Sequence, residues 1–150
     1  MVWTSTTFIM KPKYYTLLLT TTLATILFGL TTTRSLAESI SINGELSEPI
    51  TREVTSGGDV DSSDCGFISD TPQEVIEVTE KMNYMRMSLE GASSSATLLV
   101  EGPDGRFCIL PDSDQEPSMS GVWVPGEYRI YVGDKDGGSD SYTLRLSTEQ

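Results

Sequence analysis

Histidine is absent from all 150 residues, and with it the imidazole base that serine and cysteine nucleophiles ordinarily rely on. Ser-His and Cys-His catalysis are therefore excluded. Cysteine is nearly as scarce, with Cys65 and Cys108 alone. No Cys-x-x-Cys spacing suggests a redox motif, and two thiols without histidine are too few for a zinc centre. Positive charge is also thin: ten basic residues face 22 acidic ones, for a net charge of −12. A field of that sign repels nucleic acid and anionic membrane surfaces, and its plainest role is to keep the protein soluble. The acids supply many carboxylate pairs for glycoside chemistry, but nothing in their spacing gathers two in a cleft. The expectation is a protein that is not an enzyme.

What is present begins with a leader. Lys11 and Lys13 precede an apolar, threonine-rich run from Tyr14 to Leu30, and Ser35-Leu36-Ala37 is a small-x-small cleavage pattern. That order reads as a secretory signal peptide over residues 1–37, with retention of the run as an anchor the alternative. Initiation at Met10 would place the lysines at the start of the leader, as MKPKYY. The basic residues Lys11, Lys13 and Arg34, and none of the 22 acids, fall before Glu38, so the remainder sets seven basic residues against 22 acidic ones, net −15. Its 113 residues suffice for one domain with one core. In a secreted or periplasmic setting an isolated cysteine pair is most simply a disulfide, Cys65 to Cys108.

Apolar residues after the leader alternate and do not recur every three or four positions. Met85, Met87 and Leu89 alternate with Arg86, Ser88 and Glu90. Tyr128, Ile130 and Val132 alternate with Arg129 and Tyr131, as do Tyr142, Leu144 and Leu146 with Thr143 and Arg145. This is the period of strands with one face buried and one wet. Shorter candidates are Ile40 to Leu46, Ile50 to Thr55, Glu74 to Val78, Leu98 to Glu101 and Phe107 to Leu110. Turn chemistry separates them at Asn43-Gly44, Gly57-Gly58, Gly102-Pro103-Asp104-Gly105, Pro125-Gly126 and Gly137-Gly138. The fold class is all-β, an antiparallel β-sandwich of a single domain. Residues 38–57 read as an N-terminal strand or a flexible segment, and Asp112 to Ser120 as a mobile loop.

If Gly133 and Ser141 flank a hairpin symmetrically, Tyr128, Ile130 and Val132 pair with Leu146, Leu144 and Tyr142. That register sets Arg129 across from Arg145 on the wet face, an unfavourable like-charge pair unless an anion lies between them. Arg86, Arg129, Tyr131 and Arg145 are therefore the candidate binding face.

In this order and spacing, Asp64-Cys65-Gly66, the strand Met82 to Leu89, TLLVEGPDG (Thr97 to Gly105), Cys108, PGEYRIYVGD (Pro125 to Asp134) and YTLRLS (Tyr142 to Ser147) resemble the bacterial pre-peptidase C-terminal domain. The match runs from about Gly58 to Ser147, so residues 58–150 are expected to form that domain. The resemblance implies a jelly-roll-like sandwich and a non-catalytic accessory role. In proteases such domains accompany the enzyme and are often removed in maturation, and in collagenases a similar domain binds substrate. No protease precedes it in this sequence. Members commonly carry an acidic residue just before the strand at Thr97, where this chain has Ser93-Ser94-Ser95-Ala96.

Two acidic loops remain. Asp134, Asp136 and Asp140 surround Gly137-Gly138 and resemble part of a calcium loop, although the twelfth position, where a bidentate glutamate would stand, is Arg145. Asp59, Asp61 and Asp64 form a second cluster. Calcium is the one candidate cofactor, and an ordinary solvated turn is the competing reading of both. Trp123 and Tyr131 are candidates to stack on a sugar, with burial the stronger expectation for Trp123. The functional expectation is a secreted binding module for an extracellular or periplasmic protein or polymer. A carbohydrate-binding module and a structural or calcium-binding surface protein are the alternatives.

Overall fold

The computed structural model describes residues 39–112 and 115–149; the expected signal peptide lies outside the described residues. Eleven strands and no helix occur among them: β1 Ser39–Asn43, β2 Ile50–Thr55, β3 Val60–Asp61, β4 Phe67–Ile68, β5 Glu74–Glu80, β6 Met82–Glu90, β7 Ala96–Gly102, β8 Gly105–Ile109, β9 Ser118–Trp123, β10 Gly126–Asp134 and β11 Ser141–Ser147. They form two sheets, and the architecture is an all-β sandwich. In the larger sheet β10 is central. Residues 126–130 of β10 pair with β5, residues 129–134 pair with β7 on its other edge, and Asp134 meets Phe67 of β4. β1 extends this sheet parallel to β5, β8 extends it beyond β7, and β3 beyond β4. The smaller sheet runs β2-β11-β6-β9 with every pair antiparallel.

The alternation of the sequence supplies the core from both sheets. Ile76, Val78, Leu98, Val100, Ile130 and Val132 of the larger sheet face Met85, Met87, Leu89, Leu144 and Leu146 of the smaller, all 1% exposed or less. Removing each such side chain from water stabilises the fold by roughly 1.5–3 kcal/mol, and with two faces to fill neither sheet is stable alone. A gap opens on the edge of β10 where β5 ends and β4 has not begun. Gln73 fills it: its Oε1 accepts from the Val132 amide at 2.9 Å, and its Nε2 donates to the Thr55 carbonyl on β2 at 2.9 Å. The Gly57 amide donates to the Val132 carbonyl at 3.1 Å, so the interruption leaves neither backbone group of Val132 without a partner.

β7 is buried on both faces. Ala96, Leu98 and Val100 point into the main core, while Thr97 and Leu99 point outward beneath the segment around Cys65. Cys65 is bonded to Cys108 with a Cα–Cα distance of 5.6 Å, closing a separation of 43 residues. The bridge fits an oxidising compartment. Cys65, Ile68 and Leu99 form a second small cluster, against which Cys108 and Tyr131 pack. Gly133 permits this covering: a Cβ there would stand 2.6 Å from the Cys65 carbonyl oxygen. Asp64 and Arg106 clamp the same segment from outside with a 2.7 Å ion pair, and that hydrogen bond holds the Asp64 carboxyl below its usual range.

Two expectations are corrected here. β10 and β11 form no hairpin: residues 135–140 carry the chain from one sheet to the other, so the two strands pair with different neighbours. The span Asp112 to Ser120 is also not wholly a loop, since β9 begins at Ser118 and forms an edge of the smaller sheet. Its sequence, SMSGVW, has too few apolar positions to show alternation.

Candidate binding face

The candidate face divides because its strands belong to different sheets. Arg129 and Tyr131 lie on the outer surface of the larger sheet. Arg129 is held by Glu127 of its own strand at 2.7 Å. Tyr131 is half-buried against Leu99 and the disulfide; burial, then the nearby Glu101 carboxylate, pushes its hydroxyl up while Arg129 opposes them. Arg86 and Arg145 lie on the outer surface of the smaller sheet. Arg129 therefore does not face Arg145, and the like-charge argument that joined them fails at the level of sheet membership.

The other two arginines do come together. Arg145 is opposite Ser88, and Arg86 is opposite Ser147 across the same β6–β11 ladder. They are diagonal neighbours, a spacing of roughly 7–8 Å at the backbone and within reach of long side chains. On the far side of β6, Ser118 and Ser120 are opposite Ser88 and Arg86. All of these but Ser120 line a polar groove of about 630 Å³, whose wall Gln115, Glu116, Glu90 and Glu149 complete. Arg145 stands between Glu90 at 3.6 Å and Glu149 at 3.7 Å. Arg86 makes no ion pair within 4 Å among the described residues; one Nη reaches the Ser118 hydroxyl at 3.5 Å. A guanidinium offers five donors, so most of the donor capacity of Arg86 faces the groove unused. The Glu116 carboxylate accepts from the Gly91 amide at 2.6 Å, which ties the wall to the end of β6. Sequence reading missed Ser88, Ser118, Ser147 and the three glutamates as a set. Outward alternation was the one signal for Ser88 and Glu90, and it names a face without saying which strands share it; Glu116 and Glu149 lie outside the strands, where no alternation could mark them.

The acidic turn is organised around itself. Asp134 is 1% exposed, and its carboxylate accepts from the Ser95 hydroxyl at 2.7 Å, the Asp136 amide at 2.8 Å and the Gly138 amide at 2.9 Å. Burial alone would push its carboxyl up. Hydrogen bonds from Ser95 and from the amides of Gly138, Asp136 and Gly137 outweigh that and hold it below the ordinary range. Asp140 accepts instead from the Tyr142 hydroxyl at 3.4 Å. In the other loop Asp61 accepts from the Ser63 amide at 2.8 Å, while Asp64 is taken by Arg106. Among the described residues no three carboxylate or thiol groups converge on a point suited to a metal ion. Trp123 is 2% exposed; its Nε1 donates to the Met85 carbonyl at 3.0 Å, and its ring lies 4.7 Å from that of Tyr128. It is a core residue, the stronger of the two expectations for it, and its ring presents no face on which a sugar could stack.

No family model matches the chain. Among solved structures, the pre-peptidase C-terminal domain of a collagenase from Bacillus anthracis aligns at a TM-score of 0.44 and 16% identity, covering 75% of this chain and 95% of that one. It is of the kind that the sequence motifs resemble. A periplasmic inhibitor of g-type lysozyme from Aeromonas hydrophila aligns at 0.36 and 14% identity, covering 76% of this chain and all of that one. Likenesses this distant carry no inference of their own. A protein of Synechococcus elongatus, described as uncharacterized, is 39% identical over 117 residues, which is 75% of this chain and 86% of that protein. At that identity over most of both lengths, the chain belongs to the same family as the Synechococcus elongatus protein.

Proposed function

We propose that this is an exported, non-catalytic binding module that takes an extracellular or periplasmic protein or polymer in the groove on the outer face of the smaller sheet, with Arg86 and Arg145 as its charged contacts. The observation that carries the reading is the diagonal pair of guanidiniums on one polar face, one of them without a carboxylate partner among the described residues. The leader pattern and the Cys65–Cys108 bridge support export. The outer face of the larger sheet is a weaker candidate, because Arg129 is paired with Glu127 and Tyr131 is half-buried against the disulfide segment. A sugar-binding role loses its platform with Trp123.

The test is amide chemical-shift mapping on the isotope-labelled folded chain, titrated in turn with mixed-charge peptides and with neutral and acidic oligosaccharides. Shifts should concentrate at Arg86, Ser88, Ser118, Arg145 and Ser147 and disappear in R86E/R145E, while R129E should behave as wild type. Ligands that map to the larger sheet, or that survive the double reversal, would overturn the proposal.

A further inference from the structure

Asn43-Gly44 ends β1, away from the groove, and carries chemistry of a different kind. An asparagine carboxamide is an acyl electrophile, and the amide nitrogen of the next residue can attack it with closure of a five-membered ring. A Cβ on that next residue obstructs the approach, so glycine there is the favourable case. Among the described residues an Asn or Asp precedes glycine at Asn43-Gly44, Asp104-Gly105 and Asp136-Gly137. The structure separates them. The Gly137 amide donates to the Asp134 carboxylate, and Gly105 stands opposite Gly102 at the close of the β7–β8 hairpin, so each backbone is fixed by the turn it builds. Both of those side chains are also carboxylates at neutral pH, far weaker electrophiles than a carboxamide. Asn43 is exposed, and neither its side chain nor the Gly44 amide makes a hydrogen bond among the described residues. No atom lies within 4 Å of where a Gly44 Cβ would stand, so nothing packs against the peptide that must swing.

We propose that Asn43 is a site of spontaneous deamidation, and that its product loosens the end of β1. The Gly44 nitrogen gives up its proton and bonds to the Asn43 side-chain carbonyl carbon; the bond from that carbon to the side-chain nitrogen breaks, and ammonia leaves with the proton. Water then opens the succinimide at either carbonyl, leaving aspartate, or isoaspartate in which the chain runs through the former side chain. The net change is water in and ammonia out. Either product puts a carboxylate at position 43, opposite Glu80 on β5, where two like charges on adjacent strands repel. Isoaspartate also lengthens the backbone by one carbon at the point where the register already shifts. β1 pairs with β5 alone, so its end can fray without disturbing the other strands. Ile42, 1% exposed, and the Thr79 hydroxyl, which donates to the Ile42 carbonyl at 3.2 Å, keep the rest of the strand seated.

The experiment incubates the folded chain at neutral and mildly alkaline pH and follows it by peptide mapping with fragmentation that distinguishes isoaspartate from aspartate. Asn43 should yield both products with isoaspartate in excess, faster at the higher pH because the attacking nitrogen must shed its proton. Conversion should be at least about tenfold faster than at exposed Asn83, which precedes the bulky Tyr84. Asn43→Gln, whose longer side chain closes a less favourable ring, should remain unconverted. Hydrogen exchange on the converted protein should show protection lost where β1 meets the end of β5, at Ile42, Asn43 and Glu80, and kept in β10 and β11. Conversion no faster than at Asn83, or aspartate without isoaspartate, overturns the site. Unchanged protection at β1 in the converted protein, or the gain that a new pair with Lys81 would give, overturns the loosening.

Discussion

Replacing Asp134 distinguishes a carboxylate that builds its own turn from one held ready for a ligand. Alanine at this position removes the acceptor of three hydrogen bonds, from Ser95 and from the amides of Asp136 and Gly138. A hydrogen bond to a charged group contributes about 1.5–3 kcal/mol net, but the three share one carboxylate and are not additive. The two freed amides lie in an exposed turn and recover water, and Ser95 retains its contact with Ser93. The expected loss is therefore about 3 kcal/mol, a sizeable part of the ~5–15 kcal/mol typical of a whole domain. For a domain of this size that lowers the melting temperature by roughly 10–20 °C. Asp134→Asn keeps the shape and an acceptor oxygen and should cost about half as much. The sign with pH follows from a folded carboxyl that titrates below its unfolded value: the stabilisation is fully present above the unfolded pKa of about 3.9 and is lost as pH falls through the folded one. The gap between wild type and Asp134→Asn, measured by urea unfolding, should thus be constant above about pH 5 and close below about pH 4. Calcium should leave the wild-type melting temperature unchanged, since anything bound to the folded state raises it. A loss under about 0.5 kcal/mol for Asp134→Ala, or a calcium-dependent rise that chelator reverses, would refute the reasoning.

Trp123→Ala should destabilise by about 3–5 kcal/mol, as expected of a large buried aromatic. Trp123→Phe should lose about 1–3 kcal/mol, largely by removing the indole donor from the Met85 carbonyl. Chemical denaturation measures both, and a Trp123→Ala protein as stable as wild type would contradict burial. Replacing Cys65 and Cys108 by serine should cost about 4 kcal/mol in the chain-entropy model for a separation of 43 residues. Hydrogen exchange should then show protection lost first at Leu99 and Tyr131, beneath the released segment; uniform loss across both sheets would count against a local role for the bridge.

Much of the fold was legible because a strand's period of two exposes its buried face directly in the sequence. Met85, Met87 and Leu89, the Tyr128 to Val132 set and the Tyr142 to Leu146 set all point inward as the alternation requires. The cysteine pairing followed from there being two. The short strands β3 and β4 left no signal, since two residues cannot display a period, and β9 left little because serine and glycine occupy half of it. Tertiary structure alone decided which strands share a sheet. Alternation tells each strand which side to bury but names no partner, and six residues between β10 and β11 serve a hairpin or a crossing equally well. Two sheets must face each other for either to exclude water, and that demand sends β11 to the smaller one. The same demand separates Arg129 from Arg145, joins Arg145 to Arg86, and sinks Trp123 into the core.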